Sequence, residues 1–420
     1  MSVLMQDLRY AFRQLRKSPG FACTAILVLT LGICASVAIF GFVDAALIKP
    51  LPYANPGRLV EVTESITMLP RADLSYPDYL DWKRLNQVFS SMDVYEGMRY
   101  LLRTSADTET VRGIRVSDGF FRTLGVNPVL GRDFYSGEDL PAAPSTVILS
   151  YAAWQHRFGG RKDAIGESIA LSGVPHTIVG VLPPDFQFAP RENPEFWVTL
   201  HPSDSCSLRR SCHPFIGIGR LKDGVSVAMA LADMKAIARQ LELQYPTDNR
   251  DQGASVLALS EAMVADIRPI LLVLLAGAGL LLVIACVNVS SLLLVRSESR
   301  KREIAVRGAL GASRGRLVRQ FMTEGLVLMM AGSLLGIAAA AVAMRTLTRL
   351  ISKDMMAGMP YLAGLGLNSH VLVFAAAISV FAAALFSLPP VARLPLTKLR
   401  EGLTEGGRGY AGTCDSIIEA

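Results

Sequence analysis

Charge is scarce in this chain. Only 19% of its 420 residues are Asp, Glu, Lys or Arg, and there are five His. The deficit is concentrated: Phe21 to Val43, Pro269 to Val295, Gly325 to Met344 and Val371 to Ala392 hold no charge over 23, 27, 20 and 22 residues. Each meets the roughly 20 residues that cross about 30 Å of hydrocarbon as a helix. Buried helices of soluble proteins seldom run past ten to fourteen residues without a polar face, so four transmembrane helices are expected. The near-absence of ionisable groups within them argues against the proton and ion relays of many secondary transporters. Asp44 stands at the end of the first stretch and reads as interfacial, while Asn288, Ser290 and Ser291 read as interhelical hydrogen-bonding groups.

Signatures of chemistry are missing too. No G-x-x-x-x-G-K-[ST] is present to cradle nucleotide phosphates, and no H-E-x-x-H to hold a catalytic zinc. With the His residues scattered, no catalytic residue, metal or cofactor is expected.

What is present sets a topology. The first apolar stretch exceeds the 7–15 residues of a signal-peptide core and lacks a clear small-x-small cleavage site, so an uncleaved span is expected. Residues 1–20 carry Arg9, Arg13, Arg16 and Lys17 against Asp7; residues 296–319 carry eight basic residues; the tail opens with Arg393, Lys398 and Arg400. Positive segments stay inside, so both termini and the 296–324 loop are expected to be cytoplasmic, in the inner membrane. The chain then divides into a cytoplasmic helix 1–20, spans 21–48, 269–295, 325–345 and 371–392, an outer domain 49–268, a short outer loop 346–370 and a tail 393–420. Arg345, Arg349 and Lys353 run against the charge rule. The overall charge of +6 reflects this cationic inner face, with no nucleic-acid partner implied. Leu4, Leu8, Phe12 and Leu15 recur at helical spacing opposite the arginines, which predicts a helix lying on the inner leaflet of the bilayer.

The outer segment, with 23 basic and 26 acidic residues, reads as an α+β domain. Residues 58–65, 110–117, 196–200 and 215–221 have strand composition, and 168–183 reads as a hairpin about Ser172 and Gly173. Ser75 to Phe89 and Ser226 to Tyr245 read as helices, the second between a strand at 215–221 and another at 254–259, a crossover pattern. Cys206 and Cys212 are the only cysteines of this segment. A disulfide, a two-Cys two-His metal site with His201 and His213, and a solvated loop with free thiols are all open to them.

Between the second and third apolar stretches lies "VRSESRKREIAVRGALGASRGRLVRQFMTEG", Val295 to Gly325, with eight basic residues and three Glu. It has no Pro, and Gly311 and Ser313 mark a stop and a restart of helix. A lipid-anchoring flank would explain the arginines, but not the small and apolar "EIAVRGALGA" among them.

That segment, followed by "QFMTEGLVL", resembles the permease subunits of ABC transporters of the MacB/FtsX type, whose pattern E-[IF]-[AG]-[IV]-R-x-A-x-G-A here reads Glu303, Ile304, Ala305, Val306, Arg307, Gly308, Ala309, Leu310, Gly311 and Ala312. One span, a large outer domain and three further spans is the layout of that family. "DLRYAFRQLRKSPGF" and "VILSYAAWQHRFGG" with "IGESIALSGVPHTIVGVLPPDF" are similar to its acidobacterial branch of duplicated permeases. The resemblance implies a MacB-like periplasmic core domain with a smaller lobe inserted near 147–200. It also implies a homodimer or pseudo-dimer, a separate cytoplasmic ABC ATPase docking on 303–312, and a periplasmic adaptor as a further partner. Because the branch continues into a second set of spans and this chain stops after the fourth, a half-length or truncated permease is expected. The mechanism implied is mechanotransmission for export or efflux. The alternative is a non-transporting scaffold that signals to an outer partner such as a cell-wall hydrolase, and a membrane-bound enzyme is a more distant one.

Overall fold

The computed structural model describes residues 2–51, 53–103, 107–186, 188, 194–202, 206–265, 267–299, 314–350 and 365–392. The chain forms two compact units, one of residues 1–44, 270–349 and 365–420, the other of 45–269 and 350–364.

The first unit is helical. Helix α1 spans Ser2–Arg16 and α2 spans Pro19–Val43, starting on a Pro whose fixed φ suits the first helical position. It runs into a single π-turn, Asp44–Ile48. The buried side chains of α2 are Ala25, Leu29, Gly32, Ile33, Ser36, Val37, Gly41 and Val43, a stripe at three- and four-residue spacing. Against this stripe pack three later helices, numbered below in chain order.

The second unit is built on one 11-stranded sheet. Strand β1, Leu59–Ile66, pairs with a short β2, Leu69–Ala72, and is followed by α3, Tyr76–Leu85. Ser75 caps α3 by accepting from the Asp78 N–H. The helix stops at Asn86, short of the expected Phe89, because Phe89 opens the long strand β3, Phe89–Arg103. Then come β4, Thr108–Val116, α4, Phe120–Leu124, β5, Leu130–Gly131, β6, Thr146–Leu149, and α5, Tyr151–Phe158. The hairpin β7, Ser168–Leu171, and β8, Val174–Val181, turns on Ser172 and Gly173, both at positive φ. Strands β9, Phe196–Thr199, and β10, Ile216–Leu221, precede α6, Val227–Gln244, β11, Gly253–Ala258, and α7, Leu259–Val264.

The order β11-β1-β10-β3-β4-β9-β6-β8-β5 sets β1 antiparallel between β10 and β11. Helix α6 therefore makes a crossover between two parallel strands, with Ser226 capping it through the Met229 N–H. Met234, Ile237, Ala238 and Leu241 of α6 join Val60, Val62, Phe89 and Val256 in one core, on which Trp82 of α3 also packs. A second core gathers Tyr95, Phe120, Phe121, Phe188 and Trp197, and a third Tyr100, Val147, Ile178 and Phe196. This is an α+β domain.

Helices α8, Arg268–Ser299, α9, Arg314–Leu350, and α10, Ser369–Ala392, complete the chain. Among the described residues, three helical stretches are long and apolar enough to cross a membrane: Pro19–Ile48, Arg268–Arg296 and Met322–Leu350. The apolar stretch Ser369–Leu385 is shorter than these three, so the four expected spans are matched by three long ones among the described residues. Apolar side chains cover the outside of these helices as well as their contacts: Leu27, Leu31, Leu280, Val287, Leu334 and Val380 are all exposed. That is the surface of a membrane protein, for which lipid replaces water as the solvent of the outer face.

Candidate functional site

Close helix approach organises the span unit. A Cβ on Gly32 would lie 3.1 Å from Leu282 of α8, and one on Gly336 of α9 would lie 2.9 Å from Ile33 of α2. Only hydrogen fits at Gly336, which lets the two backbones come together. Polar groups add fixed points. The Ser36 hydroxyl lies 2.9 Å from the Gly32 carbonyl and 3.3 Å from Ala278 O on α8, and Ser333 reaches Ser379 of α10 at 2.9 Å. Phe40 and Phe374 stack with centroids 3.8 Å apart. Ser291 bonds Val287 O of its own helix rather than a neighbouring one, and Asn288 is exposed.

At the base of α8, Arg296 donates from Nη2 to Gln14 O at 2.8 Å, and its guanidinium lies 4.5 Å above the Phe21 ring. Helix α1 is thus fastened to the spans, with Ala11 and Leu15 buried. Phe12, expected on the same apolar face, is exposed instead: at about 100° per residue it lies a quarter-turn or so round the helix from Ala11, at the edge of the buried side and next to the arginines. Residues 300–313 lie outside the described residues. Glu303, Ile304, Ala305, Val306, Arg307, Ala309, Gly311 and Ala312 therefore keep only their sequence assignment, between the described ends of α8 and α9.

Asp44, at the far end of α2, differs from the interfacial reading. It is fully enclosed, accepting from Asn368 Nδ2 and held 3.0 Å from His370 Nδ1. Asn368 Oδ1 in turn accepts from Val371 N at 2.9 Å, capping α10. A carboxylate so placed also faces the positive end of that helix, which offsets its burial. Sequence spacing hides this group, since Asp44 and Asn368 are far apart in the chain.

In the outer unit Cys206 and Cys212 are joined by a disulfide with Cα atoms 5.3 Å apart. The loop is pinned on both sides. Arg210 forms ion pairs with Asp78 and, at 2.6 Å, with Asp81 of α3, and lies 3.7 Å over the Tyr245 ring. His213 Nδ1 is 2.9 Å from Glu64 Oε2 of β1. His201 is engaged elsewhere, with Thr199 and Leu140 O, so the two-Cys two-His site does not form; the described residues hold no group of three metal-ligating side chains.

Burial pushes the Glu64 carboxyl up, against the pull of His213, and the hydrogen bond to Glu64 pushes His213 up. Both raised values mean that the folded state binds more protons than the unfolded one, so stability falls as pH rises. For His213 the loss begins above its ordinary value of about 6.5. Asp133, raised to about 6 by burial, contributes a separate decline at lower pH. We therefore expect the urea midpoint of the chain in detergent to fall as pH rises above about 6.5, and His213→Gln to flatten that decline while leaving the one from Asp133 at lower pH. An unchanged slope in the variant would show that His213 is not the titrating group.

Comparison with known proteins places this architecture. The MacB-like periplasmic core domain matches residues 22–237, and the FtsX-like permease C-terminal domain matches residues 275–394. The chain is 28% identical over 223 residues to the pyoverdine export ATP-binding/permease protein PvdT of Pseudomonas syringae pv. tomato, which covers 53% of this chain and 33% of that protein. It is 28% identical over 350 residues to the macrolide export ATP-binding/permease protein MacB 1 of Yersinia pestis bv. Antiqua, covering 79% of this chain and 51% of that one. The matches thus span from a third to about half of the length of these relatives. The periplasmic region of MacB from Actinobacillus actinomycetemcomitans covers 50% of this chain and 92% of its own at 11% identity, with a TM-score of 0.37. With the core-domain match alone taking in just over half of the 420 residues and the permease match following it along the helices, the chain belongs to the MacB/FtsX-type ABC transporter permeases.

Proposed function

We propose that this chain is the membrane-spanning subunit that couples ATP hydrolysis in a separate cytoplasmic ABC ATPase to movement of its outer domain, in export or efflux. In this reading α10 is the fourth span, both termini are cytoplasmic in an inner-membrane protein, and residues 49–268 are periplasmic, supported by the basic residues of 1–20 and 296–319. A second permease, identical or similar, completes the transmembrane assembly. The smaller lobe of the outer domain is assigned to about 147–200.

One observation carries this reading. Helix α8 is continuous for 32 residues, from the end of the outer domain to the threshold of 303–312. At 1.5 Å per residue that is about 48 Å, well beyond the roughly 30 Å of hydrocarbon. A rigid helix of that length carries a displacement at one end to the other. The segment after it supplies small residues, Ala305, Ala309 and Ala312, that admit a close partner surface, and Glu303 and Arg307 four apart to orient it. The relatives named above carry both ATP-binding and permease in their names, which supports an ABC ATPase as the partner.

The test is Ala309→Trp, which adds bulk without changing charge. Co-purification of the ABC ATPase found with the wild-type chain should fall by roughly tenfold or more, the cost of a mispacked contact, while membrane abundance stays normal. Replacing Arg314 and Arg316 by Gln should change it by no more than about twofold, the size of a screened surface charge. If the bulky residue leaves the ATPase bound and the charge loss releases it, the segment is a lipid anchor and the coupling mechanism is wrong. A chain that holds a stable outer partner with no substrate-dependent ATP turnover would be a signalling scaffold instead.

A further inference from the structure

Over its described side chains, from Arg9 to Arg16, helix α1 turns one side to the fold. Ala11 and Leu15 are buried, Leu15 within the span core, and Gln14 is held by Arg296. On the opposite side Arg9, Phe12, Arg13 and Arg16 are exposed, Phe12 by 61%. Positions i, i+3, i+4 and i+7 fall on a single helical stripe, so three guanidinium groups line about 10 Å of helix with a phenyl ring among them. Among the described residues no carboxylate pairs with any of the three arginines. In the sequence Asp7 is the one acidic residue near them, since residues 8–43 contain no Asp or Glu.

The location selects the ligand. α1 ends at Arg16 and the apolar α2 begins at Pro19, so the stripe lies within a few residues of the hydrocarbon boundary. The buried side and the Arg296 contact keep the helix from swinging away from that level. Guanidinium groups match phosphate oxygens in geometry and charge, and an exposed phenyl at this depth suits the acyl boundary. We infer that Arg9, Phe12, Arg13 and Arg16 form a docking surface for the phosphate headgroups of anionic lipids. This differs from a free amphipathic helix floating on the leaflet: Ala11 and Leu15 are engaged by the protein, and the lipid meets the arginine face. It holds whether or not the chain couples to an ATPase.

The test uses the full chain in detergent, with retained lipid counted by native mass spectrometry during titration with phosphatidylglycerol or phosphatidylcholine. Each basic residue near an anionic surface contributes a factor of about five, so Arg9→Gln, Arg13→Gln and Arg16→Gln together should weaken phosphatidylglycerol binding by roughly a hundredfold. Phosphatidylcholine binding should stay the same. The corresponding triple Lys variant should keep phosphatidylglycerol affinity within about threefold of wild type, because headgroup attraction is largely electrostatic. Arg345→Gln with Arg349→Gln, exposed at the other end of α9, should leave it unchanged. Retention of phosphatidylglycerol by the triple Gln variant overturns the assignment. So does an equal loss in the triple Lys variant, which would trace the effect to altered helix packing. Unchanged lipid binding with loss of an acidic protein partner would assign the stripe to that protein instead.

Discussion

Replacing Asp78 by Ala should lower the stability of the outer unit by about 3–5 kcal/mol, the cost of leaving a buried charge without its partner. Asp78 is 1% exposed and accepts from Arg210, from Asn249 at 2.8 Å and from the Ser75 hydroxyl. Without it, Arg210 keeps Asp81 and the Tyr245 ring but loses its buried carboxylate, and Asn249 loses its acceptor, so one of the two anchors of the disulfide loop is weakened. The measurement is a urea transition of the full chain in detergent followed by tryptophan fluorescence. Trp82, Trp154 and Trp197 all belong to the outer unit, so the signal is free of the spans. Asp78→Asn retains the shape and one acceptor and should cost less. A midpoint unmoved by the Ala change would mean that the loop is held by the disulfide alone.

Phe120→Ala should have a comparable effect, about 3–5 kcal/mol, because it opens a large cavity in a fully enclosed aromatic core. Phe120 has no exposed surface and its ring lies 5.2 Å from that of Phe188, 5.5 Å from Phe121, 5.7 Å from Trp197 and 5.9 Å from Tyr95. These separations suit edge-on packing, whose favourable quadrupole contacts are lost along with the buried area. Phe120→Leu, which fills some of the space, should recover about half of the loss. If the Ala variant unfolds at the wild-type midpoint, the α4 ring is peripheral to the stability of this domain.

The apolar helices, three of them long enough to cross a membrane, and the ends of α6 are readable because their signals are local. A run free of charge, and a Ser before a helix with a Pro after it, need no knowledge of distant residues. The hairpin at Ser172 and Gly173 was legible for the same reason. Strand β3 was not. Ser90, Ser91, Asp93, Glu96 and Gly97 break its apolar alternation, yet the charged ones are accommodated by neighbours remote in sequence: Asp93 by Ser117 and Thr123, Glu96 by Arg115. The buried role of Asp44 likewise depends on Asn368 and His370, and that of Arg210 on α3. The proposed docking element could be assigned only through its resemblance to a family, since its residue types alone fit a lipid-anchoring flank as well. Polar residues at the ends of apolar runs read as solvent-facing until their partners are known.

Strand β3 carries a mechanical consequence. Its 15 residues extend for about 50 Å, and it supplies Phe89 and Met92 to the first core, Tyr95 to the second, and Tyr100 and Leu102 to the third. One backbone therefore runs like a spar through every compartment of the outer domain, bonded laterally to β10 along its first half and to β4 along its second. Bending the domain across this spar would shear hydrogen bonds to β10 in its first half or to β4 in its second, and pull neighbouring cores apart. A small twist distributed over the sheet is the softer response. The continuity of β3 through all three cores thus makes the domain resist bending along this strand more than twisting about it.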